Sequence, residues 1–138
     1  MTNEDEFLFG KRHAPMIFAT IDRIASEVNT KIRMRGIGRG MVCVQESINK
    51  TALEMQKRIY DAVKEPDANK RMMLLCDIQR KMRYMWTDIR YLLKQRALTL
   101  GEIGVLSEHA NAADKQIEKW KQSIGNKLSR AKTQCSKA

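Results

Sequence analysis

Apolar residues recur along this chain at alternating gaps of three and four, the pattern of helices that each bury one face. Ile17, Ile21, Ile24, Val28 and Ile32 make the first such stripe. Pro15 stands just ahead of it, and a proline suits an opening turn, where its missing N–H would lack an intrahelical partner anyway. The spacing therefore predicts a first helix beginning near Pro15. Met41, Val44, Ile48, Ala52, Met55, Ile59 and Ala62 form a second stripe, closed by Pro66 because the residue before a proline is pushed out of helical geometry. Asp67 is placed to cap a third helix, whose apolar line is Leu75, Ile78, Met82, Met85, Ile89 and Leu92. Thr99 and Glu102 have the spacing of a capping box, and Ile103, Leu106, Ala110, Ala113, Ile117, Trp120 and Ile124 follow on one side of a fourth helix.

Four amphipathic helices with short connections bury their faces most simply as an antiparallel up-down four-helix bundle, an all-α fold spanning residues 14–125. No alternating β-branched run suggests a strand. Gly36, Gly38 and Gly40 read as the first connection. A phosphate-cradling loop would need a preceding strand and a Lys-Ser/Thr pair, and Arg35 to Gly40 has neither. Residues 1–13 fall outside the scheme as an N-terminal extension, with Phe7, Leu8 and Phe9 apolar enough to dock on a neighbour. Beyond Gly125 the composition turns to Lys, Ser, Arg and Gln, so residues 126–138 are expected to form a flexible, disordered basic tail.

Charge changes this picture from a generic bundle to one with a preferred partner. Lys and Arg number 26 against 16 Asp and Glu, a formal net charge of +10. Nucleic acid, an anionic membrane or an acidic protein would each be attracted. Cys43, Cys76 and Cys135 include no close pair, and the start Asn3, Glu4, Asp5, Glu6 is acidic where a secretory leader would be basic. No window approaches the roughly 18 unbroken apolar residues of a membrane span. A soluble, cytoplasmic protein is the expectation.

The third helix concentrates the charge. Lys70 to Arg96 holds eight basic residues against Asp77 and Asp88. At about 100° per residue, Arg80, Arg83, Arg90 and Lys94 fall within a sector of roughly 80°, turned away from the Leu75–Leu92 line. Asp77 and Lys81 have the i,i+4 spacing of a surface ion pair. Tyr84 and Tyr91 lie near the same outer sector, where they would stack on unpaired bases or simply meet solvent. Trp86 sits at the border of the apolar face and suits a packing or subunit contact. Arg33, Arg35 and Arg39, with Lys31, add a second cluster free of acids. Lys119 belongs to a third, in which seven basic residues from Lys115 onward face Glu118 alone.

Catalytic constellations are nearly absent. His13 and His109 lack the His or Glu at i+4 of a metal pair, and no inward Glu-x-x-His sets mark a di-iron bundle. Cys76, beside the buried line, reads as a small core residue. The nine methionines at helical spacing read as core filler. Neither an enzyme nor a cofactor is expected.

The helix order, the arginine-rich third helix with Arg80, Arg83 and Arg90, and the passage from Leu92, Leu93 and Lys94 through Leu98 and Thr99 into a helix ending at Trp120 and Lys121 together resemble a known family. These are the accessory variability determinants of diversity-generating retroelements, related in shape to the intervening-sequence proteins of bacterial large-subunit ribosomal RNA. The chain departs from the family's usual glycines before the tryptophan, carrying Glu118 and Lys119. The resemblance implies a homopentamer that binds nucleic acid and a partner reverse transcriptase, assisting error-prone copying of template RNA into cDNA for mutagenic homing.

The resulting expectation is a noncatalytic accessory protein that grips RNA or an RNA–cDNA intermediate through Arg80, Arg83, Arg90 and Lys94, with Arg33, Arg35, Arg39 and Lys119 as auxiliary contacts. Such cations position phosphates with little sequence choice. The rival reading is a protein-interaction adaptor whose basic face docks an acidic partner without nucleic acid. Membrane attachment is disfavoured because the apolar faces are needed for one another.

Overall fold

The computed structural model describes residues 3–36 and 39–137, with side chains described for residues 14–36, 40–126, 128 and 129. Four helices account for the architecture: α1 (Asn3–Arg35), α2 (Arg39–Lys64), α3 (Ala68–Lys94) and α4 (Leu100–Lys137). Each packs on its sequence neighbours, and α4 returns to α1, which closes an up-down four-helix bundle. No strand occurs among the described residues, and no helix is long and apolar enough to cross a membrane.

The stripes become the core. All five apolar residues of the α1 line are buried, as are Ile48, Ala52, Met55, Ile59 and Ala62 on α2 and the whole α3 line from Leu75 to Leu92. Leu106, Ala113, Ile117, Trp120 and Ile124 supply the α4 side, with Met41, Val44, Ile103 and Ala110 partly buried at the margins. Polar residues set the register of α1 against α2: Asn29 Nδ2 donates to Asn49 Oδ1 at 2.8 Å, and Gln45 Nε2 donates to Asn29 Oδ1 at 3.0 Å.

The helix ends explain where the chain turns. Gly36 closes α1 at φ +59°, in the left-handed region that a side chain would resist. Asp67 caps α3 by accepting from the Asn69 N–H at 2.9 Å. At the other end of α3, Arg96 takes φ +61°, while Ala97 N donates to Leu92 O and Arg96 N to Leu93 O. This is a Schellman ending with arginine where glycine is usual. Thr99 and Glu102 form the reciprocal capping box, with N···O distances of 2.8 and 3.1 Å.

Both ends of the chain depart from expectation. α1 begins at Asn3 rather than near Pro15, which lies inside it. Ala14 is already buried ahead of the proline, so the apolar face spans Pro15 and the helix continues at the cost of one missing donor. The side chains of Phe7, Leu8 and Phe9 lie outside the described residues. α4 likewise runs to Lys137, so the segment expected to be a disordered tail is helical over residues 126–137. Leu128 packs on the core one turn beyond Ile124 and carries the helix past Gly125. α1 and α4, at 33 and 38 residues, therefore outlast α2 and α3, at 26 and 27.

Candidate nucleic-acid interface

Burying the Leu75–Leu92 line forces the opposite side of α3 outward, and Arg80, Arg83, Arg90 and Lys94 are all exposed there. Arg83 stands on the crest of the helix, lining both the groove toward α2 and the groove toward α4. Arg90 lines the α4 groove with it. Arg83, Arg90 and Lys94 have no carboxylate within ion-pairing distance among the described residues. At about 1.5 Å per residue, the three extend along roughly 16 Å of helix.

Arg80 differs from them. Its guanidinium is bonded to Asp77 one turn earlier, and Asp77 also accepts from Arg58 Nε of α2 at 3.1 Å. Partial burial pushes the Asp77 carboxyl up, but the hydrogen bonds from Arg80 and Arg58 outweigh it and hold the group below its ordinary range. The i,i+4 partnership of Asp77 with Lys81 does not form. Lys81 instead reaches Glu54 of α2 at 2.9 Å. Arg80 is thus the weakest member of the row, although an exposed pair of this kind costs little to open.

The groove between α3 and α4 encloses about 730 Å³. Met82, the half-buried Trp86 and Ala110 line its apolar part, with Arg83 and Arg90 on the α3 wall and Asp114 and Glu118 on the α4 wall. Gln79 Nε2 donates to Asp114 at 3.0 Å and to Glu118 at 2.7 Å, and Lys121 Nζ donates to Gln79 Oε1 at 2.9 Å. The Gln79 amide, with help from Lys121, keeps the Glu118 carboxyl ionised below its usual range. Carboxylates on the far wall repel phosphate, so a polyanion would ride the crest of α3 rather than enter the groove.

The auxiliary cations do not assemble around this row. Arg35 is a correction: Nη1 donates to Ala97 O at 2.8 Å, and its guanidinium grips Glu102 with a shortest N···O distance of 2.7 Å. Lys31 approaches the same carboxylate at 3.5 Å. Arg35 therefore ties the end of α1 to the α3–α4 turn, and its bonds to Glu102 raise its pKa further. The same bonds, with those from Thr99, hold Glu102 at about 2. Arg33 and Lys119 are exposed without an ion pair among the described residues. Arg33 nonetheless lies about 200° around α1 from Arg35, and Lys119 about 100° around α4 from the α3-facing Glu118. The Arg39 side chain lies outside the described residues.

Sequence reasoning missed the second role of Glu102, which its spacing from Thr99 marked only as a cap. Cys76 is also corrected, since it is exposed rather than a core residue. Cys76 lies seven residues before Arg83, so its thiol shares the outward side of α3, opposite the Leu75–Leu92 line. Tyr84 and Tyr91 meet solvent, at 61% and 42% exposure. No group of three or more His, Cys, Asp or Glu among the described residues is arranged to hold a metal.

No family model matches the chain, and no curated protein or solved structure shows significant similarity to it.

Proposed function

We propose that this protein is a noncatalytic accessory factor that holds nucleic acid, a template RNA or its RNA–cDNA intermediate, against the outer face of α3. The observation that carries this reading is the contrast within the cations. Arg35, Arg80 and Lys81 are matched by carboxylates, whereas Arg83, Arg90 and Lys94 stand exposed and unmatched in one row. In a chain of net charge +10, that row is available to an external anion. The sequence resemblance supports placing the protein beside the reverse transcriptase of a diversity-generating retroelement, acting as a homopentamer.

The test is charge reversal. Arg83→Glu with Arg90→Glu is expected to abolish binding of a 30-nucleotide RNA, with helical circular dichroism and melting temperature near wild type, because neither arginine supports the fold. Unchanged affinity removes the row from the site. The adaptor reading draws on the α3–α4 groove, where a half-buried tryptophan between opposite charges suits a protein side chain. Nuclease treatment of the purified protein separates the two: release of bound nucleic acid supports the first, a retained stoichiometric acidic protein the second. A neighbouring gene for a reverse transcriptase, flanked by template and variable repeats, would support the retroelement assignment.

A further inference from the structure

The α3 row contains a repeated dipeptide, Arg83-Tyr84 and Arg90-Tyr91, seven residues apart. Seven residues is nearly two helical turns, so each arginine returns to the same side with a tyrosine beside it, about 10.5 Å further along. Both rings are exposed, and among the described residues neither hydroxyl has a hydrogen bond and neither ring meets a cation or another aromatic ring. That is unlike Tyr60, whose ring lies 4.1 Å beneath the Lys64 ammonium. Thr87, between the two pairs, donates its hydroxyl to the Arg83 carbonyl at 3.1 Å.

We infer that the two Arg–Tyr pairs form a platform for single-stranded nucleic acid, with each guanidinium on a phosphate and each phenol ring stacked on an unpaired base. This rests on the nucleic-acid reading above and specifies its substrate. A duplex keeps its base faces stacked inside and offers this surface only phosphates, whereas a single strand offers both. The two pairs, about 10.5 Å apart along the helix, lie within reach of a few consecutive nucleotides of an unstacked strand. Asp114 and Glu118 bound the row on the α4 side, and Asp88, which accepts from Ser47 Oγ at 2.7 Å, bounds it on the α2 side beyond the tyrosines, so phosphates are held to the crest between them.

The experiment compares a 12-nucleotide single-stranded RNA with a blunt duplex of the same sequence, by fluorescence anisotropy on the intact protein. Tyr84→Ala with Tyr91→Ala is expected to weaken single-strand binding about tenfold or more per ring, leaving duplex affinity and the single-strand salt slope unchanged. Tyr84→Phe with Tyr91→Phe retains the wild-type preference, because the ring and not the hydroxyl is used. Equal loss on both ligands, or no loss on either, overturns the platform. Arg83→Glu with Arg90→Glu reports on the underlying reading: if that variant binds both RNAs like wild type, the α3 row is not the site, and the platform falls with it.

Discussion

Arg33 and Arg35 share the last turn of α1, yet only one meets a carboxylate. Arg35 faces the α3–α4 turn and is consumed by Glu102 and the Ala97 carbonyl, while Arg33 points elsewhere and stays exposed. Spacing along one chain could place both on helix ends, where cations suit the dipole, but not reveal which one meets an acid 67 residues away. Glu102 shows the consequence in its titration. Its folded pKa is lowered from an ordinary 4.5 to about 2, so the stability it contributes is present above pH 4.5 and lost as pH falls toward 2. Glu102→Gln preserves the capping geometry and removes the charge. Thermal melts from pH 6 to pH 2 should show a shallower acid decline in that variant than in wild type, and parallel curves would mean that the Arg35 pair adds nothing.

At the scale of the element, apolar periodicity identified the helices but misjudged how far they run. The α3 line was legible residue by residue because burial depends on which side of the helix a residue occupies, and the 3.6-residue repeat fixes that. Boundaries depend on weaker terms. Gly36 ends α1 because the backbone there is left-handed, whereas α3 ends the same way on Arg96 without a glycine. Pro15 and Gly125 looked like limits, yet each lies inside a helix held by buried neighbours, Ala14 on one side and Ile124 with Leu128 on the other. Gly125 is helical, with nothing among the described residues within 4 Å of the position a Cβ would take. Gly125→Ala is therefore expected to stabilise the fold by about 0.5–1 kcal/mol in urea unfolding. A loss of stability would show that α4 does not continue through this position.

For the molecule as a whole, the excess positive charge is distributed unevenly. Cross-helix pairs such as Lys81–Glu54 and Arg58–Asp77 join α2 to α3, and Arg35–Glu102 joins α1 to the start of α4. The outward row of α3 was legible in the sequence, since a ridge opposite a buried line has to face solvent. Its division into matched and unmatched members was not, because Asp77 reaches Arg80 and Arg58 rather than Lys81. Arg33 and Lys119 are spread around other faces, so the proposed contact rests on α3 alone.

The claim that Arg83, Arg90 and Lys94 form the gripping row is tested most directly by the salt dependence of RNA affinity. Three phosphate contacts to a single strand give a slope of log K against log salt of about −2 per protomer, hence about twentyfold weaker binding between 50 and 200 mM salt. Replacing all three by Gln should bring that slope close to zero while the melting temperature holds. A slope as steep as wild type in the triple variant would place the phosphate contacts elsewhere and contradict the account.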